Sequence, residues 1–386
     1  MSGALTAVAM SGGLDSSVAA WLLAERGDGP VVGLSMLLWA EDPAAVARPA
    51  NGRCCGALDL GDAKRVAQQA GIPHYTLRLD EEFRRAVVDP FVDDYLAGRT
   101  PSPCVRCNTW VKFDLLLERA RRFGAERLAT GHYARLVDGP AGRELHVAAR
   151  PDKDQSYFLF ELDQEQLAAS RFPLGELGKD EVRDIARRAG LVVAEKGESM
   201  EICFVADDVR SFVEREAAGR AGAGSAASAP VALEEPSTVV DTAGRELGRG
   251  APYYRYTVGQ RRGLGVSSPS GERLYVLALD PARNRVTVGR GEEAGCRAFT
   301  GERLHWINPE LDLAETAGVA AATAGVEVTV KIRARHSGVA GRVRPLADGR
   351  AEVELAEPQR GVAPGQAAVF YRGTRVAGGC WIEGPR

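Results

Sequence analysis

Residues Met10 to Ser17 read MSGGLDSS, setting two glycines, three hydroxyls and one carboxylate between the apolar run LTAVAM and an amphipathic stretch. At a strand-to-helix turn several backbone N–H groups lack partners and the helix dipole favours an anion, so phosphate would satisfy both. Gly12 and Gly13 permit close backbone approach, while Ser11, Ser16 and Ser17 can donate hydroxyl hydrogen bonds; Ala9, Met10 and Leu14 flank them. Asp15 is the odd member, because beside a polyphosphate it would be repelled unless a cation intervened. Its presence points to Mg²⁺ held between carboxylate and phosphates. The plainer reading is a tight Gly-Gly turn followed by a Ser or Asp helix cap. The pattern G-x-x-x-x-G-K-[ST] is not met, since there is no lysine.

A second group of reactive residues is the seven cysteines. Cys104 and Cys107 are spaced C-x-x-C within the Pro-rich RTPSPCVRCNTWVKF, which favours a surface loop over core, and Cys203 lies in the mildly apolar EICFV. This spacing fits metal ligation or a redox pair, and three thiolates would hold a 4Fe–4S cluster with one open iron. Cys203 alone reads equally well as a buried small hydrophobe. Cys54 and Cys55 are adjacent, a poor geometry for joint chelation, and read as packing; Cys296 and Cys380 read as core.

The elements that must position these groups follow from periodicity. With 386 residues, two or three domains are expected. To about residue 200, short apolar strands (LTAVAM, VVGLSMLL, HYTLRL, ERLATG) alternate with amphipathic stretches from Ser16 to Glu25, near Leu60 to Ala70 and over GKDEVRDIARRAG. This punctuation predicts an α/β fold, a parallel sheet with helices on both faces. An Ala/Gly/Ser-rich stretch near 217–236 predicts a flexible insertion. Beyond it, RLYVLALD, NRVTVG, VEVTVKIRARH, AEVEL and QAAVFY predict small β-domains or a barrel. The expected division is 1–208 for nucleotide binding and catalysis, 209–272 for a small central domain and 273–386 for a β-barrel.

Net charge is −3, which gives no global field for a polyanion but leaves room for local basic patches. No apolar stretch approaches the roughly 20 residues needed to span a bilayer, so no membrane role is expected. The opening MSGALTAVAM lacks the basic flank and cleavage site of a secretory signal, so a cytoplasmic location with reduced thiols is expected.

SGGxDS resembles the PP-loop of ATP pyrophosphatases, which cleave between the α- and β-phosphates and adenylate a substrate. RTPSPCVRCNTWVKF, ATGHYARL, KDQSYFLF, GESMEICFV and YTVGQRRGLG follow in this order, with RGVAPGQAAVFY and GGCWI near the end. Together they resemble the bacterial tRNA-specific 2-thiouridylases over nearly the whole chain. The resemblance implies a PP-loop domain, a small central domain and a C-terminal β-barrel. It also implies ATP-dependent adenylation of C2 of the wobble uridine, then sulfur transfer. Cys203 would take a persulfide from a sulfur donor (a cysteine desulfurase or sulfur-relay protein). Cys107 would attack it, leaving a Cys107–Cys203 disulfide, and both thiols are expected to be more exposed than packed cysteines.

By the same resemblance Met36 and Gly131 would meet the nucleotide, and His132 the nucleotide or base. Ser102, Pro103 and Cys104, Lys153, Asp154 and Gln155, Arg333 and Gln366 would serve the tRNA. Arg261, Arg262, Lys331, Arg335 and His336 add phosphate partners. Three departures stand out. Cys104 replaces the acid some members carry, Gly248 to Pro252 lacks a frequent histidine, and Ala334 replaces a usual aromatic. Two other readings share the phosphate loop: a PP-loop ligase adenylating a small molecule, and an RNA-binding module holding ATP structurally.

Overall fold

A computed structural model of the chain describes residues 3–39, 57–197, 202–205, 208–222, 235–268, 271–308 and 324–386. Cys54, Cys55 and residues 198–201 of GESMEICFV lie outside the described residues. The first sheet contains β1 (Thr6–Ala9), β2 (Val31–Leu37), β3 (His74–Arg78) and β4 (Arg127–Ala129). After a hairpin of β5 (Ala134–Gly139) and β6 (Gly142–Val147) comes its last strand, β7 (Ser170–Arg171). The order is β3-β2-β1-β4-β7 and every pairing is parallel.

Alternation along β1 sends side chains to opposite faces, as strand geometry requires. Val8 joins one cluster with Val18 of α1 (Leu14–Arg26), Val66 of α2 (Ala57–Gln69) and Val182 of the helix Lys179–Arg188. Ala7 joins the other, with Leu34, Leu128, and Phe83, Phe91 and Phe113 from helical runs at 80–96 and 103–122. Each fully buried Leu or Phe here stabilises the fold by about 1.5–3 kcal/mol. Helices thus cover both faces of a parallel sheet, as the sequence pattern predicts.

The helix Val209–Gly222 runs through residues 217–222, which the composition placed in a flexible stretch. Tertiary contacts decide this: Arg220 pairs with Asp89 at 2.7 Å and Asp93 at 2.6 Å on the first domain. A second sheet follows from β8 (Thr238–Val240), β9 (Glu246–Arg249), β10 (Leu274–Asp280) and β11 (Arg285–Arg290), ordered β10-β11-β8-β9. Because β11 pairs with β8, this sheet continues past residue 272 to Arg290.

The last sheet comprises β12 (Cys296–Trp306), β13 (Val326–Lys331), β14 (Val339–Pro345), β15 (Ala351–Gln359), β16 (Ala367–Arg372) and β17 (Arg375–Pro385), with the β6–β5 hairpin joined to the far side of β17. Its order is β12-β15-β14-β13-β16-β17, and β17 returns to pair with β12, closing a six-stranded antiparallel barrel. Phe299, Val330, Val353, Phe370 and Cys380 fill its interior. Among the described residues no helix is long and apolar enough to cross a membrane.

The barrel grips the helical run 103–122 through one buried carboxylate. Glu161 accepts hydrogen bonds from the Thr109 hydroxyl at 3.0 Å and the Trp381 indole at 2.7 Å, and pairs with Arg303 at 3.1 Å. The Arg106 guanidinium lies 5.2 Å over the Trp381 ring. Replacing Glu161 leaves these donors without their acceptor, so Glu161→Ala is expected to cost about 2–4 kcal/mol in urea unfolding. Glu161→Gln, which keeps one acceptor oxygen, should cost less; an unchanged midpoint for the alanine variant would contradict this joint.

Candidate active site

The phosphate-loop sequence folds as its composition requires. β1 ends at Ala9, the chain turns, and α1 begins at Leu14 with Gly13 as its cap. Gly12 has φ +73°, and a Cβ there would lie 2.0 Å from the Asp59 carbonyl oxygen, so no other residue fits. Within the turn the Ser16 hydroxyl accepts from the Ser11 N–H at 3.1 Å and lies 3.2 Å from the Ser11 hydroxyl. Lys196 fastens the loop from outside, donating to the Gly12 carbonyl at 2.9 Å and to Asp59 and Asp62 at 2.5 and 2.6 Å.

Asp15 has its cation within the chain. Its oxygens lie 2.8 and 2.9 Å from Lys179 Nζ, and one accepts the Tyr133 hydroxyl at 2.8 Å. Lys179 is the first residue of its helix. A cation at a helix N-terminus opposes the helix dipole, so such a lysine needs an anion nearby. That was the signal available in GKDEVRDIARRAG, where the sequence showed only a helix. The repulsion that the sequence argument met with Mg²⁺ is met in this structure by Lys179.

One cavity gathers the loop and its neighbours. Ala9, Met10, Ser11, Asp15 and Ser16 line it with Met36 from β2, Thr130, Gly131 and His132 from the exit of β4, Gln155 and Lys112. Gly131 packs so closely on α1 that a Cβ would lie 2.7 Å from Ser16 N. Gln155 is fixed by accepting from the Tyr133 N–H at 3.0 Å. Strand C-terminal ends thus converge on the cavity, as parallel α/β sheets arrange their ligand sites. Lys112 and Thr130 carry no role in the sequence reading, although both lie inside its motifs.

The cysteine helix departs from expectation. Pro103 opens a helix at its first position, where its missing N–H costs nothing, so PCVRC is helix rather than loop, while residues 99–102 before it have no regular structure. Cys104 is exposed but Cys107 is buried, and Cys203 is half-buried against the same apolar cluster as Cys107. Cys107 starts a π-helical stretch to Leu116 that turns Val111 and Phe113 inward, and this packing withdraws the thiol from solvent. Phe204, next to Cys203, packs at 5.1–5.7 Å from the rings of Phe83, Phe91 and Phe212. Among the described residues no three His, Cys, Asp or Glu side chains group as a metal site.

The residues expected at tRNA fall into two sets. Gln366 donates to the carbonyls of Thr100 and Pro101 at 3.0 and 3.1 Å, bracing the segment before Ser102 and Pro103, both buried. Asp154 accepts from Ala148 N at 3.0 Å and the Ser156 hydroxyl at 2.9 Å, and lies 4.0 Å from Lys331. Both therefore hold structure with the groups expected to read a base. His336 is buried with both ring nitrogens engaged, by Gln359 and the Gly338 N–H. Lys153 is half-buried, while Arg333, Arg261 and Arg262 face solvent.

His132 sits between Phe113 and Phe172, each 6.0 Å away, with Nδ1 2.7 Å from the Thr130 hydroxyl. Burial, and then the nearby Lys112 charge, holds its pKa well below the ordinary 6.5. Below about pH 6.5 the unfolded chain binds a proton that the folded one refuses, so stability falls on acidification. The thermal midpoint is expected to drop between about pH 7.5 and pH 5.5, and to drop less in His132→Gln; equal drops would contradict this role.

A family model described as the tRNA methyl transferase HUP domain matches residues 5–207. The tRNA methyl transferase PRC-barrel domain matches 231–290, and the aminomethyltransferase beta-barrel domain 296–382. The chain is 48% identical over 379 residues to the tRNA-specific 2-thiouridylase MnmA of Geotalea uraniireducens (strain Rf4), covering 97% of this chain and 94% of that one. It is 49% identical over 381 residues to the protein of that name in Geobacter metallireducens, covering 97% and 96%. Among solved structures it is similar to the U34-tRNA thiolase NcsA of Methanococcus maripaludis, at 17% identity over 57% of this chain and 67% of that one. The TM-score is 0.33, too distant to bear on the assignment. A family model across more than half of the chain and relatives nearly half identical from end to end place it: the chain belongs to the tRNA-specific 2-thiouridylase family.

Proposed function

We infer that this chain is a cytoplasmic tRNA sulfurtransferase that replaces the C2 oxygen of wobble uridine 34 with sulfur, driven by ATP. The observation that carries the reading is the shared cavity: the phosphate loop lines one side, and Lys112, from the helix that begins its π-helical stretch at Cys107, lines another. The family models carry methyl-transfer names, but an anion loop sharing its cavity with the helix that carries Cys107 suits adenylation and sulfur transfer.

In the first step the uridine C2 oxygen attacks the α-phosphorus, the N3 proton passes to water, and the bond to the β-phosphate breaks to release pyrophosphate. The unpaired N–H groups of the turn and the Ser11 and Ser16 hydroxyls would hold the phosphates. Met36 and Gly131 would meet the rest of the nucleotide. Mg²⁺ fits as an ion carried by the nucleotide, since one carboxylate plus substrate phosphates is a common Mg²⁺ site. Asp15, the one carboxylate on the described cavity wall, would hold it in exchange for Lys179, which engages both Asp15 oxygens in this structure, and the ion would supply charge neutralisation. An iron–sulfur cluster does not fit the described thiols, and no step passes through one.

In the second step Cys203 carries a persulfide supplied by a sulfur donor. The Cys107 thiolate attacks the inner sulfur, a Cys107–Cys203 disulfide forms, and hydrosulfide leaves. Hydrosulfide adds to C2, its proton passes to N3, the C2–O bond breaks and AMP departs with the original oxygen. A dithiol then reduces the disulfide for the next cycle. Because Cys107 is buried and Cys203 half-buried, their segments must shift for the sulfurs to meet.

Mass spectrometry of tRNA incubated with ATP and persulfide tests the reading. Cys107→Ser and Cys203→Ser are each expected to cut sulfur incorporation by at least about 100-fold while tRNA-stimulated pyrophosphate release continues. Wild-type thiolation by both variants would refute the cysteine roles. Pyrophosphate release indifferent to tRNA would favour a ligase acting on a small molecule.

A further inference from the structure

We propose that Lys112 is a catalytic residue, a cation that acts on the α-phosphate in both half-reactions. The proposal rests on the thiouridylase reading above and adds a residue to it. Lys112 shares its cavity with Ser11, Ser16 and Gly131, the groups that would hold the nucleotide. Its ammonium donates to Asn108 Oδ1 at 2.9 Å. Asn108 is itself buried and anchored, donating through Nδ2 to the Phe158 carbonyl at 3.0 Å. A neutral amide therefore orients the ammonium, and the orienting residue follows Cys107 directly in the chain. The other lysine at this site, Lys179, is engaged with both Asp15 oxygens. The Lys112 charge also reaches His132, another residue of the cavity lining, where it contributes to the depressed histidine pKa.

The two half-reactions need charge stabilised at the same atoms. When the uridine oxygen attacks and pyrophosphate leaves, negative charge grows on the non-bridging oxygens of the α-phosphorus. When hydrosulfide adds to C2 and the C2–O bond breaks, the electron pair of that bond returns to an oxygen of the same phosphate as AMP leaves. One preorganised cation beside the α-phosphate assists both events, and such groups act mainly on the transition state. Its place in the cysteine helix, five residues after Cys107, puts it a little over one turn from the thiol that releases the sulfur.

The test measures tRNA-dependent pyrophosphate release and sulfur incorporation by the full chain, with kcat separated from the KM for ATP. Lys112→Met is expected to lower kcat for both products by about 100-fold while the KM changes by less than about fivefold. Lys112→Arg, which restores the charge, should recover part of the loss, and Asn108→Ala, which removes the amide that orients the ammonium, should lower kcat by about 10-fold. Lys112→Gln is read the same way should the methionine variant fail to fold by circular dichroism. A kcat within about threefold of wild type, or a loss confined to KM, would overturn the role. A wild-type chain without tRNA-dependent pyrophosphate release would instead overturn the thiouridylase reading beneath it.

Discussion

The structure depends on keeping a carboxylate inside a turn shaped for anions. Asp15 sits one residue into α1, where unpaired N–H groups and the helix dipole concentrate positive potential, and a negative polyphosphate is the expected guest. Lys179 and Tyr133 together hold that carboxylate. The pair spans elements far apart in sequence, so it also fixes the helix Lys179–Arg188 against the loop. Lys196 performs the matching task on the other side, tying the Gly12 carbonyl to Asp59 and Asp62 of α2. The phosphate loop is thereby positioned before any nucleotide arrives, which lowers the ordering cost of binding.

The sulfur side is organised by packing. The helical run 103–122 is wedged between the first sheet and the barrel, held by the Glu161 node and by Gln366 on the segment before it. The barrel therefore shapes the candidate site although none of the described cavity-lining residues belongs to it. On the proposed mechanism Cys107 is used once per cycle, and its burial then makes sulfur transfer dependent on a local shift. Lys196 lies seven positions before Cys203 in the chain, so that shift starts from a segment fastened to the phosphate loop.

Much of this was legible in the sequence. The glycines and serines of SGGLDSS have few uses other than a phosphate turn, and period-two and helical patterning gave the α/β domain and the later strands. The illegible parts are tertiary. Nothing in Cys107's flank shows that Val111 and Phe113 draw it inward, since Pro-rich sequence suits a helix start as well as a loop. Asp154 and Gln366 have base-reading chemistry, yet nearby backbone groups engage it. Residues 217–222 are helical because Arg220 finds Asp89 and Asp93 about 130 positions earlier, a pairing no local composition reveals. Lys112 was hidden differently: a lysine in an apolar helix reads as surface until the fold shows which cavity it lines.

The central claim is that the phosphate loop and the cysteine helix serve one nucleotide in one cavity. The most direct measurement is a crystal structure of the chain with a non-hydrolysable ATP analogue and a tRNA anticodon stem-loop. The expected result is phosphates on the Ser11–Ser16 turn, the base beside Met36, and the wobble uridine between the α-phosphate and the Cys107 end of its helix. A nucleotide bound elsewhere, or a uridine seated away from Cys107, would contradict the account.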